Sequence, residues 1–344
     1  MPRIIMARAP VRNADLGGWR DTRLFSSGKV LNMAIRLYTY VCLIPTQEEG
    51  VHIESHDIDD TAYVRNVRDM EYAGALGLLK AAVAGSGTKG SFNVIARSEA
   101  PPASGLGSSA ALAVAMLGAL ARYERRVMLP HQIAFAAQRI ETNLLNLECG
   151  VQDQLAAAFG GINFIEVNYP NARVTPVPVS DATLCDLESH MLVVYTGKSH
   201  FSSATHKKVI ENFERREPQT LQAFDGLDTT AEKGAEALMR GDLRDYADAL
   251  NANWDFQKGL HESITTPEVE ALHAEAVKLG CIGFKLNGAG AGGTAVIICE
   301  RNTQKRIQET IEREFSTMTV YRAKIDIGRC QGLQVWPAGE AAAS

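Results

Sequence analysis

The run Pro101-Pro102-Ala103-Ser104-Gly105-Leu106-Gly107-Ser108-Ser109-Ala110 lies between a strand-like stretch, Phe92 to Ala96, and a long apolar stretch with helical spacing, Ser108 to Tyr123. Glycines at 105 and 107 permit a tight turn, and a helix beginning at the serines would follow directly. Such a junction aims several backbone N–H groups at one point, with the positive end of the helix dipole behind them. Phosphate oxygens suit that geometry, and the serine hydroxyls can donate to them or ligate a metal. The lysine of a GK[ST] loop is absent, so this is not a Walker A sequence. The same residues also fit a plain Gly/Ser turn in which Ser108 or Ser109 caps the helix.

A second glycine-rich run, Lys285-Leu286-Asn287-Gly288-Ala289-Gly290-Ala291-Gly292-Gly293-Thr294, sits between two strand-like stretches. Its backbone can approach a ligand closely because no Cβ intervenes, or it is simply a wide loop between paired strands. Near the N-terminus, Ala9 to Thr22 places Gly17, Gly18, Trp19, Arg20 and Asp21 after a short strand, Arg3 to Ala9. It reads as a loop lining a polar pocket, where Asp21 could accept sugar hydroxyls and Trp19 could stack on a sugar face. The plainer alternative pairs Arg12 with a surface carboxylate and buries Trp19 in the core.

Taken together, PPASGLGSSAAL, KLNGAGAGG and APVRNADLGGWRDT resemble, in order and across nearly the whole chain, the three motifs of the GHMP kinases. That resemblance implies an α+β, two-domain fold: an N-terminal ribosomal-protein-S5-like domain over residues 1–185 and a C-terminal α/β domain over 186–344. It implies ATP as phosphoryl donor with Mg²⁺, and assigns the ATP phosphates to Pro102 through Ala110. It also draws in a fourth segment, Glu148-Cys149-Gly150-Val151-Gln152-Asp153-Gln154, which is similar to the CGxxDQ of sugar kinases. Asp153 is then the implied base, with Arg12 the cation beside it, and Ser109 and Glu141 are the implied Mg²⁺ ligands. Gly18, Trp19, Arg20, Asp21, Gly150, Gln152, Asn287, Gly288, Ala289 and Gly290 are the implied substrate contacts. Read without the family, Glu141 is a helix-surface carboxylate and Asp153 an N-cap.

Phosphoryl transfer requires positioning of the γ-phosphate and neutralisation of its charge far more than covalent chemistry. Mg²⁺ takes oxygen ligands and keeps several waters, so one carboxylate and one hydroxyl are a sufficient protein share. An aspartate is a weak base, which fits a carboxylate that orients the acceptor hydroxyl and takes its proton late. The stretches GKVLNMAI and AAFGGINFIEV are similar to kinases that phosphorylate the anomeric hydroxyl of a heptose 7-phosphate, on the way to nucleotide-activated heptose for surface polysaccharide. Arg20 is the expected partner of the sugar's own phosphate. Another aldose (galactose, fucose or a uronic acid), or a non-catalytic sugar sensor on the same scaffold, is the alternative.

Several elements must position these residues. Val30 to Ile44 alternates as a strand, and Val51 to Glu54 is its expected partner across the QEEG turn. Helices are expected over Met70 to Ala84 and His131 to Leu147, and Gly160-Gly161 precedes a strand. Ser180 to Ser189 is polar and turn-rich, the candidate domain boundary. In the second half Met191 to Thr196 and Ile282 to Leu286 read as strands. Ser203–Arg216, Thr220–Arg240, Leu243–Lys258, Pro267–Leu279 and Thr303–Glu314 read as helices. The donor-rich stretch Tyr195 to Ser203 offers Lys198 and His200, or simple helix capping. His206, His261 and His273 read as structural helix residues.

With 344 residues, 46% apolar and 22% charged, the chain can bury a core of two-domain size. A net charge of −5 with interspersed signs offers no basic field, so no nucleic-acid partner is expected. No run approaches the roughly 18 apolar residues of a membrane span, and the N-terminus is too charged for a signal peptide. Six scattered cysteines without a CxxC pair read as reduced thiols. The expectation is a cytoplasmic protein with a small sugar or sugar phosphate as partner and room for a homodimer.

Overall fold

The computed structural model describes residues 3–198 and 202–340. The first part of the chain runs β1 (Ile5–Leu16), β2 (Ser27–Pro45), β3 (Val51–Ser55), β4 (Asp60–Val64), α1 (Gly77–Ser86), β5 (Phe92–Ser98) and α2 (Ser108–Tyr123). It continues through α3 (Pro130–Arg139), α4 (Gln152–Phe159), β6 (Ile162–Asn168), β7 (Asn171–Pro176) and α5 (Asp181–His190). The second part is β8 (Met191–Tyr195), α6 (Ser202–Glu214), α7 (Pro218–Arg240), α8 (Leu243–Gly259), α9 (Pro267–Lys278), β9 (Cys281–Leu286), β10 (Thr294–Cys299), α10 (Gln304–Glu314), β11 (Thr319–Tyr321) and β12 (Gln334–Pro337).

Two sheets result. The larger has the order β12-β1-β2-β5-β3-β4, with β6 on β2 and β7 on β6; the smaller is β11-β8-β10-β9. Strand β2 organises the first sheet by its length. Its first half pairs with β6 and its second half with β5, while β1 runs antiparallel along its other edge. Helix α2 is apolar nearly all round, from Ala110 to Ala121, and is accordingly buried between β1, β2 and the helices α1, α3 and α4. The hairpin α7–α8 packs α7 on β1 and β2 and α8 on β9, joining the two sheets. The last strand, β12, returns to the first sheet beside β1.

Local pattern succeeded where one face of one element decided the outcome. Helices α7 and α9 begin at Pro218 and Pro267 in the first turn, and α7 ends at a left-handed Gly241. Four expectations need correction. Val51–Ser55 does not pair with β2: β5 lies between them, because β3 joins β5 in parallel and β4 in antiparallel fashion. The helix expected from Met70 begins only at Gly77. Ser180 to Ser189 is no turn-rich linker: Ser180 caps α5 by accepting from the Thr183 N–H, and Leu187 is buried beneath it. Finally, of the segment expected as a loop only Gly17 to Thr22 is turn; Ala9 to Leu16 is the far half of β1 itself, bent by bulges at Pro10/Val11 and between Asn13 and Leu16. No described helix is long and apolar enough to cross a membrane.

Candidate active site at the head of helix α2

Ala103, Gly105 and Gly107 all have left-handed backbone, with φ of 52°, 75° and 71°. This conformation favours glycine, so the loop's shape follows from its sequence. Gly107 is the N-cap of α2 and no side chain caps the helix. The serine-cap reading therefore fails: Ser108 and Ser109 lie inside the first turn, whose N–H groups have no intrahelical acceptor. The loop is braced from behind. Arg12 N donates to the Leu106 carbonyl at 2.9 Å, Thr294 Oγ1 to the Ser104 carbonyl at 3.0 Å, and the Arg12 guanidinium to the Gly105 carbonyl.

The glycines of the 285–294 run serve this bracing. A Cβ at Gly293 would meet the Ser104 carbonyl oxygen at 2.5 Å, and one at Gly288 would meet that of Gly105 at 3.1 Å. Their close approach is to the phosphate-type loop rather than to an open pocket. Asn287 is 1% exposed, and its side chain is fully used: it accepts from Ala14 N and donates to Asn13 Oδ1 and Thr294 Oγ1. Gly290 packs on the Ile264 carbonyl, and Ala289 lies against the core of the smaller sheet. None of Asn287, Ala289 and Gly290 presents a free polar side chain for a substrate.

Arg12, on β1, meets Asp153, in the first turn of α4. Its Nε donates to Asp153 Oδ1 at 2.8 Å and its Nη2 to Oδ2 at 3.4 Å, while Nη1 is 3.7 Å from Asp15 Oδ1. Arg12 is 3% exposed, so this is no surface pair. Burial opposes its charge, but Asp15 and Asp153 outweigh that and hold the guanidinium above its ordinary pKa. Val151, not Asp153, is the α4 N-cap, so the Asp153 carboxylate is released toward Arg12. It retains 28% side-chain exposure and lies beside the N-cap of α2: a Cβ on Gly107 would be 3.0 Å from Asp153 Cγ.

Glu141 sits in a π-helical turn after α3, and it is buried rather than on a helix surface. Ser109 Oγ donates to its Oε1 at 3.2 Å and the Gln154 amide to its Oε2. Burial, only partly offset by these bonds, lifts its carboxyl from 4.5 to about 7. Asp21 is buried too. It accepts the Gln152 N–H at 2.9 Å and the Gln152 amide at 3.5 Å, so it anchors the start of α4. Burial raises its carboxyl to about 6. Gly150 is required by that packing, since a Cβ there would overlap the Asp21 carboxylate. Gly18 similarly admits Asp15 Oδ2, 2.8 Å from where its Cβ would be.

Trp19 is 6% exposed, as the plainer reading had it, with left-handed backbone at φ 78°. Its ring meets that of His206 edge-on at 4.6 Å, and its Nε1 is buried without a partner. Arg20 donates to Asp228 Oδ2 at 2.9 Å and stacks 4.2 Å over Phe25. Its Nε is buried without a partner. Asp15 and Lys285 escape sequence reasoning as site residues although both lie inside quoted motifs, the signal being a charge within a buried strand. His206 is structural, as expected. His206 bonds the Glu148 carbonyl at 2.8 Å, and burial lowers its pKa. His261 caps a short 3₁₀ turn and His273 stacks on Phe284. Lys198 pairs with Glu268, whereas His200 lies outside the described residues.

The donors beside the loop are hard oxygens, the Ser109 hydroxyl and the Glu141 carboxylate, and no group of three or more His, Cys, Asp or Glu among the described residues could enclose a metal. That set fits Mg²⁺ bound jointly with phosphate oxygens rather than an all-protein cage.

The chain matches two family models and is similar to several known proteins. Residues 72–161 match the GHMP kinases N terminal domain and residues 235–317 the GHMP kinases C terminal domain, together half of the chain. The D-glycero-alpha-D-manno-heptose 7-phosphate kinase of Campylobacter jejuni is 29% identical over 322 residues, covering 90% of this chain and 94% of that protein. The bifunctional fucokinase/GDP-fucose pyrophosphorylase of Arabidopsis thaliana is 27% identical over 90% of this chain and 32% of its own length. The crystal structure of a D-glycero-D-manno-heptose 1-phosphate kinase from Bacteriodes thetaiotaomicron superposes with a TM-score of 0.80 at 22% identity, covering 98% of this chain and all of that one. With a glycine-shaped, uncapped helix head facing an arginine-held aspartate, and with both domain signatures present, the chain belongs to the GHMP kinases, ATP-dependent phosphotransferases.

Proposed function

We propose that this sugar kinase transfers the γ-phosphoryl group of ATP to the anomeric hydroxyl of D-glycero-D-manno-heptose 7-phosphate, giving the 1,7-bisphosphate. One observation carries the phosphotransfer reading: the Asp153 carboxylate, forked by buried Arg12, lies against the N-cap of α2. The loop from Pro102 to Gly107 and the first turn of α2 would bind the phosphates through main-chain N–H groups. Asp153 would accept a hydrogen bond from the acceptor hydroxyl and take its proton as the bond to phosphorus forms. Arg12 holds that carboxylate in place through its two-pronged contact. Ser109 and Glu141 would hold Mg²⁺, which neutralises phosphate charge when bound.

The similarity to the Campylobacter jejuni heptose 7-phosphate kinase supports the acceptor. A second reading, an aldose without a phosphate, is favoured by Arg20: its guanidinium is already engaged by the Asp228 carboxylate and lies over the Phe25 ring. The fucokinase relative points the same way. A panel of heptose 7-phosphate, fucose, galactose and uronic acids, followed by coupled ADP detection and NMR assignment of the phosphorylated carbon, separates them. The heptose phosphate is expected to exceed every free sugar in kcat/KM by at least about tenfold. A free aldose turning over faster would overturn the acceptor and leave the kinase chemistry standing.

The metal role predicts a pH dependence. The buried Glu141 carboxyl, with its pKa raised to about 7, must lose a proton before it can bind a cation. Below pH 7 the Mg²⁺ concentration needed for half-maximal ADP binding should therefore rise by up to about tenfold per pH unit. Without metal the sign for stability is opposite. The folded state holds this proton more tightly than the unfolded chain, so stability falls as pH rises from about 4.5 to about 7. Calorimetric titration of Glu141→Gln should give a flat pH profile; an unchanged slope would remove Glu141 from the metal site.

A further inference from the structure

Lys285 is fully buried, and burial lowers the pKa of its amine against the pull of the Asp15 carboxylate. Its Nζ donates to Asp15 Oδ1 at 3.1 Å and to the Leu286 carbonyl at 2.7 Å. Asp15, 2% exposed, has two further neighbours on the same oxygen: the Gly288 N–H at 3.3 Å and Arg12 Nη1 at 3.7 Å. The Arg12 guanidinium turns its other edge to Asp153. Four side chains thus alternate in sign, Lys285, Asp15, Arg12, Asp153, from the buried strand β9 to the partly exposed Asp153. The buried Tyr246 hydroxyl is without a hydrogen-bond partner.

From this alternation, and resting on the reading of Asp153 as the group that meets the acceptor hydroxyl, we propose that Lys285 is a positioning residue that neutralises Asp15 and so leaves the charge and fork of Arg12 to Asp153. The physical reason is competition. A buried carboxylate with no cation of its own draws the nearest guanidinium strongly, because little solvent screens the pair. Arg12 would then move toward Asp15, and Asp153 would lose its fork. With Lys285 present, Asp15 is satisfied and the guanidinium stays bidentate on Asp153. The arrangement also ties the 285–294 run to the reaction: strand β9 supplies the cation, and Gly288 lets Arg12 pass, since a Cβ there would be 3.3 Å from Nη2.

The test is a charge-rescue cycle read by kcat, with ADP affinity and thermal unfolding measured on every variant. Lys285→Met is expected to lower kcat at least about 30-fold with ADP affinity within about threefold, because Arg12 is drawn off. The double variant Asp15→Asn/Lys285→Met removes both buried charges and is the version expected to fold in any event. It should recover kcat to within about fivefold of the parent chain, since nothing then competes for Arg12. A double variant that folds but stays as slow as Lys285→Met would overturn the proposal, as would a folded Lys285→Met with unchanged kcat. Asp153→Asn, assayed beside them, separates the two levels. If it is inactive while Lys285→Met is fully active, only the role of Lys285 falls; if it is active, the reading of Asp153 falls first.

Discussion

Asp153→Asn is expected to lower kcat about 10³-fold while ADP binds within about threefold of the parent. The substitution keeps shape and size but removes the negative charge and the proton acceptor together. A thousandfold loss corresponds to about 4 kcal/mol of transition-state stabilisation, within the range for a general base. The nucleotide should scarcely notice, because the loop from Pro102 to Gly107 is braced by Arg12 N, Thr294 and the Arg12 guanidinium on Gly105, none of which requires the Asp153 carboxylate. Single-turnover phosphoryl transfer and ADP calorimetry on the same preparation check both halves. Equal loss of both would make Asp153 a structural residue of the loop; full retention of kcat would remove it from the chemistry.

Arg12→Met should weaken both catalysis and the fold. The guanidinium joins β1 to α4 through Asp153, to the α2 loop through Gly105, and to Asp15 within its own strand. Removing one partner of a buried ion pair costs about 3–5 kcal/mol, and the partial exposure of Asp153 brings the expected value to the low end, about 3 kcal/mol. A fall in Tm of about 4 °C is the corresponding shift for a chain of this size. The expected fall in kcat is about 10²- to 10³-fold. Arg12→Lys should restore much of the Tm and little of kcat, since an ammonium supplies charge but no planar fork. Equal recovery of the two would mean that charge alone matters at this position.

How much of this could be read in advance varied with the range of the interaction. The loop from Pro102 to Gly107 and helix α2 were legible because glycine conformations and an apolar helix are local properties. The position of β3 beyond β5 was not, since parallel pairing depends on a crossover that no turn residue announces. The bent far half of β1 was misread as a loop because polar residues interrupt its pattern. Arg12, Asn13 and Asp15 face a buried polar cluster there, not solvent. Trp19 and Asn287 show the opposite case. Both carry groups suited to a ligand, yet packing uses Trp19 as core and hydrogen bonds consume Asn287.

By themselves, the residue types and their order determined a glycine-shaped helix head suited to phosphate; Ser109, Glu141 and Asp153 stood out only through the resemblance of the motifs to the GHMP kinases. Tertiary structure alone decided which charges meet. Arg12 finds Asp153 across 141 positions of sequence, and Lys285 finds Asp15 across 270. Such pairings have no local signature, because their strength comes from the dry, low-dielectric interior that only the assembled sheets and helices create.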